Sequence, residues 1–202
     1  WKILGAVFKQ TGRITASLNF MRKSVQLNPQ DAESHNNYGV TLQELGRFDE
    51  AEVSYTQAIN LEPDYIEAHS NLGNTFKDQG NFEKAIIAYE KAISIDPNYA
   101  EAYYNMGLTL KSLGKPEEAI AMYIKAIKLD PNYAYAYNNL GNALQEKGKL
   151  DEAIEAYKKS ISLKSEYANA HLNLSYALLQ RGSFKEGLHK YPAALDDPKL
   201  AT

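Results

Sequence analysis

Apolar and small residues recur along this chain with the spacing of an α-helix, most clearly over residues 100–113. Four of them lie at positions i, i+3, i+4 and i+7, on one face of a helix with 3.6 residues per turn. They are Tyr103, Met106, Gly107 and Leu110. Gly114 follows, and glycine readily adopts the left-handed conformation that commonly ends a helix. The pattern therefore predicts a first helix over residues 100–113.

The next helix is predicted over residues 116–129, and it begins with a proline. Proline suits the first turn of a helix, where its missing N–H group would have no partner in any case. The apolar face of this helix consists of Ala119, Tyr123, Ala126 and Ile127. Pro131 ends it, because the residue before a proline is displaced from the helical region. Gly107 and Ala119 would let the two helices approach closely, with Tyr123 filling the gap beside them.

This helix pair recurs with a period of 34 residues, without insertion or deletion through four proline junctions. The junctions are Asn28-Pro29, Glu62-Pro63, Asp96-Pro97 and Asp130-Pro131. A fixed period of this length indicates a stack of copies of one small unit. We expect one solenoid over residues 1–202. Its repeats are 1–31 (truncated), 32–65, 66–99, 100–133, 134–167 and 168–201.

The unit resembles the tetratricopeptide repeat, a helix–turn–helix of 34 residues. The matching positions include Trp1, Leu4, Gly5 and Phe8 at the start, and Pro131, Gly141, Ala153 and Tyr157 further on. The resemblance covers essentially the whole chain. It implies an all-α fold in which antiparallel helix pairs form a right-handed superhelical solenoid. Pentatricopeptide repeats, which read RNA, have a slightly longer period, and the register here does not drift.

The last repeat departs from the pattern at three positions. Gly187 replaces the alanine, Ser165 replaces the preceding proline, and Pro192 lies inside the expected second helix. A proline inside a helix costs about 3 kcal/mol. We expect this helix to kink or end near Tyr191, either as a degenerate terminal repeat or as the junction to a further domain.

Composition narrows the class of partner. The net charge of −3 gives no electrostatic reason to expect nucleic acid or an anionic membrane. The absence of cysteine excludes disulfides, thiolate metal ligands and thiol catalysis. No apolar run approaches the length of a membrane span, and no signal peptide is recognisable. We expect a cytoplasmic protein, and the start at Trp1 indicates a fragment of a longer chain.

The tetratricopeptide resemblance implies that the open side of each first helix lines an inner, concave surface. One position there is always asparagine: Asn37, Asn71, Asn105, Asn139 and Asn173. Asparagine is a mediocre helix former, so helix stability does not explain this asparagine ladder. Its amide offers donors and an acceptor that match those of any peptide bond. Further candidates beside the ladder are Asn74, Asn142, Tyr104 and Tyr135.

The spacing of the ladder suits an extended peptide. Neighbouring helices pack about 8–10 Å apart, and an extended chain advances about 3.3 Å per residue. One asparagine per repeat would then contact roughly every third residue, and five would hold about a dozen residues. The alternative is that these amides bond neighbouring backbone carbonyls or water and only keep the surface soluble.

A similar asparagine ladder lines the tetratricopeptide region that precedes O-linked N-acetylglucosamine transferases, and it also occurs in other long tetratricopeptide superhelices. The two-carboxylate clamp known from other members, which grips chaperone C-termini, needs lysine and arginine on this surface. The matching positions here are Glu33, Glu67, Asn71 and Glu101. The acidic residues nearby favour a polar or basic guest; they are Glu44, Asp78 and Glu146.

Three histidines share one column of the repeat: His35, His69 and His171. A metal site is not expected, because separate repeats lie about 10 Å apart and metal–imidazole bonds are near 2 Å. Packing on the buried side is the better interpretation. We find no glycine-rich phosphate loop, no plausible serine–histidine–aspartate set and no carboxylate pair in an apolar pocket. We therefore predict no metal, no cofactor and no catalytic activity.

The leading functional hypothesis is a scaffold whose concave face binds an extended segment of a partner protein. A first alternative is the substrate-recruiting part of a larger enzyme, such as a glycosyltransferase or sulfotransferase. A second is self-association through the ends, because solenoids need polar caps. Leu4 and Phe8 would be exposed at one end, and no solvating helix follows Leu195 at the other.

Overall fold

The computed structural model describes residues 1–183, 185 and 187, and every regular element in this part of the chain is a helix. The helices are α1 Lys2–Gln10, α2 Ile14–Leu27, α3 Ala32–Glu44, α4 Phe48–Leu61, α5 Ile66–Asp78, α6 Phe82–Ile95, α7 Ala100–Ser112, α8 Pro116–Leu129, α9 Ala134–Glu146, α10 Leu150–Leu163 and α11 Ala168–Gln180. The predicted all-α fold is confirmed. The chain divides into two compact units, Trp1–Asn105 and Met106–Thr202, with the boundary inside α7.

Each first helix ends at a glycine with a left-handed backbone. In α3 the N–H of Gly46 donates to the carbonyl of Gln43, and the N–H of Arg47 donates to the carbonyl of Leu42, both at 2.9 Å. These two bonds form the Schellman motif, which satisfies the last carbonyls of a helix. Gly114 has φ of 72° and the same role. The predicted helix end is therefore confirmed, with α7 one residue shorter than expected.

Aspartate holds the turn between repeats. The N–H of Asn98 donates to Asp96 Oδ1 at 2.9 Å, and the N–H of Tyr99 donates to the Asp96 carbonyl at 3.2 Å. Asp130 accepts the equivalent bond from the N–H of Asn132 in the second unit. This is the local side-chain bond that favours aspartate in turns. The Asp-Pro junction thus ends one helix and folds the chain toward the next.

The core of each helix pair is a tyrosine seated against a glycine. Tyr89 is fully buried on α6, and a Cβ atom added to Gly73 on α5 would lie only 2.6 Å from its Cε1. The pairs formed by Tyr55, Tyr123 and Tyr157 with their glycines have the same arrangement. Ala119 is fully buried, as the close approach of two helices requires. The steric prediction for Gly107, Ala119 and Tyr123 is confirmed.

Helices pack in sequential pairs, and only the first helices also touch across repeats. In the first unit α1 contacts α3 and α3 contacts α5, whereas no contact among the described residues joins α2 to α4 or α4 to α6. In the second unit α9 contacts α11 in the same way. The first helices therefore form a continuous surface within each unit. We call this surface the first-helix face.

The last repeat keeps part of the pattern. Gly187 is buried, and the hydroxyl of Ser175 donates to its carbonyl at 2.8 Å. A Cβ atom added to Gly187 would lie 2.8 Å from Leu179 Cγ, so glycine at this position has a packing reason. The predicted kink near Tyr191 and Pro192 falls outside the described residues.

Burial raises the pKa of Tyr55, with a further contribution from Glu44 and Asp78. It raises the pKa of Tyr157 as well, with a contribution from Glu146. Tyrosines in the unfolded chain ionise near pH 10, at about their ordinary pKa. Above that pH the folded state holds more protons than the unfolded state, so the free energy of unfolding falls as pH rises.

We therefore expect the helical circular dichroism of the protein to be lost between about pH 10 and pH 12. Tyrosinate absorbance should show one fraction that titrates near pH 10 and a second fraction that appears only together with unfolding. Titration of all 15 tyrosines near pH 10 with helicity unchanged would contradict the buried-tyrosine core.

Candidate functional site

In the first unit, the ladder residues of α3 and α5 are half-buried on the first-helix face. The amide nitrogen of Asn71 donates to Asn36 Oδ1 at 3.0 Å, and Asn36 itself is 6% exposed. The remaining N–H group and the carbonyl oxygen of Asn71 have no partner among the described residues. The side-chain amide of Asn37 forms no hydrogen bond within that same part of the chain. Both residues therefore retain hydrogen-bonding capacity toward the open surface.

Asn74 lies one turn after Asn71 and is held by the core tyrosine of its repeat. The hydroxyl of Tyr89 donates to Asn74 Oδ1 at 2.8 Å. Both N–H groups of the Asn74 amide have no partner in the part of the chain that the structure describes. A hydroxyl at the edge of the core thus fixes the amide of a surface residue.

Asn105 differs from the other rungs, because it is only 7% exposed and interacts with the protein itself. The sequence pattern placed it on the open stripe of α7, and this expectation about its exposure is wrong. Tyr104 beside it is partly buried and also has a partner inside the protein. In the first unit the accessible amides are therefore those of α3 and α5.

The second unit repeats the amide pairing. The amide nitrogen of Asn173 donates to Asn138 Oδ1 at 3.0 Å, and the nitrogen of Asn138 lies 3.4 Å from Asn139 Oδ1. Asn138 is 3% exposed, so it belongs to the interior and adds no donor to the surface as expected for it. Asn142 accepts a hydrogen bond from the hydroxyl of Tyr157 at 2.8 Å, as Asn74 does from Tyr89.

Tyr135 has less free aromatic surface than its sequence position indicates. It is 41% exposed, and its ring meets Tyr167 edge to face with 5.0 Å between centroids. The ammonium group of Lys164 lies 4.6 Å from the centroid of Tyr135 and also contacts its hydroxyl. A cation above a tyrosine face is attracted by the ring quadrupole. Tyr135 therefore already has a cationic neighbour from its own repeat unit.

Polar partners lie 35 residues apart on the first-helix face. Gln43 donates to Asp78 at 3.0 Å in the first unit, and Lys111 pairs with Glu146 at 2.7 Å in the second. The Asn36–Asn71 and Asn138–Asn173 bonds follow the same interval. Two of the acidic residues expected to attract a basic guest are thus already partnered. Sequence reasoning missed this interval, although complementary side chains at i and i+35 were visible.

The histidine column bonds backbone as well as packing. His69 Nε2 lies 2.8 Å from the carbonyl of Pro63, and His171 Nε2 lies 2.8 Å from the carbonyl of Ser165. His35 makes the equivalent contact with Pro29 at 3.1 Å. Because a carbonyl only accepts, Nε2 is the protonated nitrogen in each ring. The six-residue spacing from junction to histidine was the available signal.

Two searches of the described residues concern other kinds of site. No group of three or more histidine, cysteine, aspartate or glutamate side chains in this part of the chain has an arrangement that could hold a metal ion. None of the helices among these residues combines the length and apolar character needed to cross a membrane.

Family profiles match almost the whole chain. A profile described as "TPR repeat" matches residues 43–80, 73–114, 107–148 and 141–182. Profiles described as "Tetratricopeptide repeat" match residues 20–53 and 3–31. No protein of curated function matches the chain.

Solved structures give the same result. A structure of the MamA protein is 31% identical, with a TM-score of 0.71, and the match covers 82% of this chain and 90% of that one. YrrB, described as a TPR protein with an unusual peptide-binding site, is 23% identical over 87% of this chain and 91% of its own, with a TM-score of 0.67. Pseudomonas aeruginosa pilF is 19% identical over 95% and 85%, with a TM-score of 0.81. The last two likenesses show the fold alone.

Proposed function

Because the chain belongs to the tetratricopeptide repeat family, we propose that it is a non-catalytic scaffold whose first-helix face binds an extended segment of a partner protein. The likeness to YrrB, a TPR protein with a peptide-binding site, supports a peptide as the ligand class. The observation that carries the proposal is the state of the amides on α5. Asn71 and Asn74 are fixed from within the fold and keep free groups toward the surface.

Fixed amides lower the cost of binding. A rotamer-rich side chain that must be immobilised on association costs about 0.5–1.5 kcal/mol. The Asn36 bond already restrains Asn71, and the Tyr89 bond already restrains Asn74. Their unused N–H groups and the carbonyl of Asn71 then pair with peptide groups at little further entropic cost.

The ligand is expected to contribute backbone rather than charge. Amides are neutral, and their donors and acceptor match a peptide bond whatever side chain it carries. The charge of Asp78 is compensated by Gln43, which reduces the preference for a basic guest. One amide site per repeat at about 8–10 Å corresponds to roughly three extended residues. The face thus suits a segment recognised mainly by its main chain.

The second unit offers a similar arrangement on α9 and α11. Asn142 is held by Tyr157, and Asn173 is held by Asn138. Its exposed Tyr135, with Lys164 above the ring, adds an aromatic surface that the first unit lacks at the equivalent Glu101. We propose that the two faces bind main chain in the same way and differ in the side chains that they accept.

A displayed library of random, unstructured dodecapeptides tests this proposal. Peptides selected on the wild-type protein should bind the double variant Asn37→Ala/Asn71→Ala about 10–100-fold more weakly, because each lost hydrogen bond contributes about 0.5–1.5 kcal/mol. Asn37 is the cleaner position, since its amide has no hydrogen bond to lose within the described chain. Fluorescence anisotropy of labelled peptides gives the dissociation constants.

Asn60→Ala is the matched control, because Asn60 is an exposed asparagine on the second helix α4. Its affinity should stay within about twofold of wild type, a change smaller than that from one lost hydrogen bond. Circular dichroism should show all three proteins equally helical. Selected peptides that bind the double variant as tightly as wild type would refute the proposed role of the first-helix face.

A further inference from the structure

One second helix begins differently from the others. In α4, α8 and α10 a basic residue just before the helix forms an ion pair with a glutamate three residues later: Arg47–Glu50, Lys115–Glu118 and Lys149–Glu152. In α6 both partners are replaced, by Asn81 and Lys84. A lysine in the first turn of a helix is disfavoured by the positive end of the helix dipole. The stability of α6 therefore does not explain Lys84.

Lys84 belongs to a stripe along the outer side of α6. Lys84, Ile87, Ala88 and Lys91 lie at i, i+3, i+4 and i+7, on one face of the helix. Ile87 is 65% exposed, and both lysines are exposed. Neither lysine forms an ion pair with any described residue, although Lys84 Nζ lies 5.1 Å from the ring centroid of Phe76. We call these four residues the basic stripe.

The basic stripe borders an apolar groove. Because α4 and α6 do not touch, a cavity of about 320 Å³ remains between them, and α5 forms its floor. The lining includes Ile59 from α4 and Leu72 and Phe76 from α5. Glu83 and Glu90 stand next to the lysines on α6 but do not line the groove. An apolar floor with two unpaired cations on one rim is the chemistry of a binding site for an acidic, apolar ligand.

The equivalent groove one repeat earlier has the opposite charge. It is lined by Val53 with Asp49 and Glu50, and Glu50 is paired with Arg47. The cationic rim is therefore a property of this one groove within the first unit and not of the repeat pattern.

We propose that the groove between α4 and α6 binds an amphipathic helix of a partner protein whose apolar face is bordered by aspartate or glutamate. The two lysines are seven residues apart on a helix, which corresponds to about 10.5 Å at 1.5 Å per residue. Carboxylates seven residues apart on a helix lying along the groove have the same spacing. The apolar side chains between them cover Ile87 and enter the cavity, as in other helix-in-groove complexes.

This groove is separate from the first-helix face. It uses Leu72 and Phe76 of α5, whereas the amides of Asn71 and Asn74 lie on the other side of that helix. The partner helix and an extended peptide therefore do not compete for the same residues.

Two synthetic helical peptides of 18 residues test the inference. Both carry leucine at helical spacing on one face, and the flanking positions are glutamate in one and lysine in the other. The glutamate peptide should bind the wild-type protein and shift the ¹⁵N-amide signals of Lys84, Ile87 and Lys91 in nuclear magnetic resonance spectra. The lysine peptide should bind at least about tenfold more weakly, since like charges then meet at the rim.

The charge-reversal variant Lys84→Glu/Lys91→Glu should lose about tenfold or more in affinity for the glutamate peptide. Lys159→Glu is the matched control, because Lys159 occupies the position of Lys91 on α10, beside Glu152 and Glu155; its affinity should not change. Ile87→Asp removes the apolar contact without touching either lysine and should weaken binding as well.

Several outcomes would overturn the proposal. These are no binding of the glutamate peptide to wild type, equal binding of both peptides, and full affinity in the charge-reversal variant. Signal shifts confined to Asn71 and Asn74 would place the peptide on the first-helix face instead. A concentration-dependent dimer that the charge-reversal variant abolishes, without peptide binding, would make a second copy the occupant.

Discussion

Replacement of Tyr89 by alanine should lower the free energy of unfolding by about 3–5 kcal/mol, the range for a large aromatic side chain removed from a core. The ring is fully buried and lies against the α-carbon of Gly73, so no neighbouring side chain can enter the space without a shift of α5. The variant also removes the hydroxyl that holds Asn74. Urea unfolding followed by circular dichroism measures the change in stability.

Tyr89→Phe separates the ring from the hydroxyl. It should cost only about 1 kcal/mol, because a single hydrogen bond is lost and the packing is kept. Tyr135→Ala is the matched surface control, since that ring is 41% exposed, and it should cost much less than Tyr89→Ala. Equal effects of Tyr89→Ala and Tyr135→Ala would contradict the tyrosine–glycine core.

Gly73→Ala should destabilise the protein by about 1–3 kcal/mol, the cost of an overpacked core, although alanine is the better helix former by about 1 kcal/mol. The reason is geometric, because the new Cβ atom would lie 2.6 Å from Tyr89 Cε1 and 2.8 Å from its Cδ1. The sign of the effect is thus opposite to that expected for an ordinary helical glycine.

The same substitution in a Tyr89→Leu background provides the decisive comparison. With the ring removed, Gly73→Ala should become neutral or stabilising by up to about 1 kcal/mol, because only the helix preference remains. The two changes therefore couple strongly in a double-mutant cycle followed by urea unfolding. Additive effects of the two substitutions would show that the glycine column has another cause.

The fold was predictable because its determinants are local and repeated. The left-handed glycine at Gly114, the proline at the start of α8 and the Asp130-Pro131 junction each act within a few residues. The pairing of Gly107 with Tyr123 could be predicted because only one steric solution fits a small residue facing a large one. A regular 34-residue register then carries these solutions along the chain.

The state of the asparagine ladder was not predictable from helical periodicity. Whether Asn105 is exposed depends on side chains of other repeats, and it is buried. The bonds from Asn71 to Asn36 and from Tyr89 to Asn74 join residues 35 and 15 positions apart. A helical wheel treats each helix alone, so it cannot distinguish an amide open to a ligand from one engaged by the next repeat.

The central claim is that peptide main chain binds the preoriented amides of the first unit. Its most direct test is a titration of ¹⁵N-labelled protein with a library-selected peptide, observed at the side-chain amide signals. The account predicts that the signals of Asn37, Asn71 and Asn74 shift together while that of Asn60 does not. Saturating binding that leaves the three signals unchanged would contradict it.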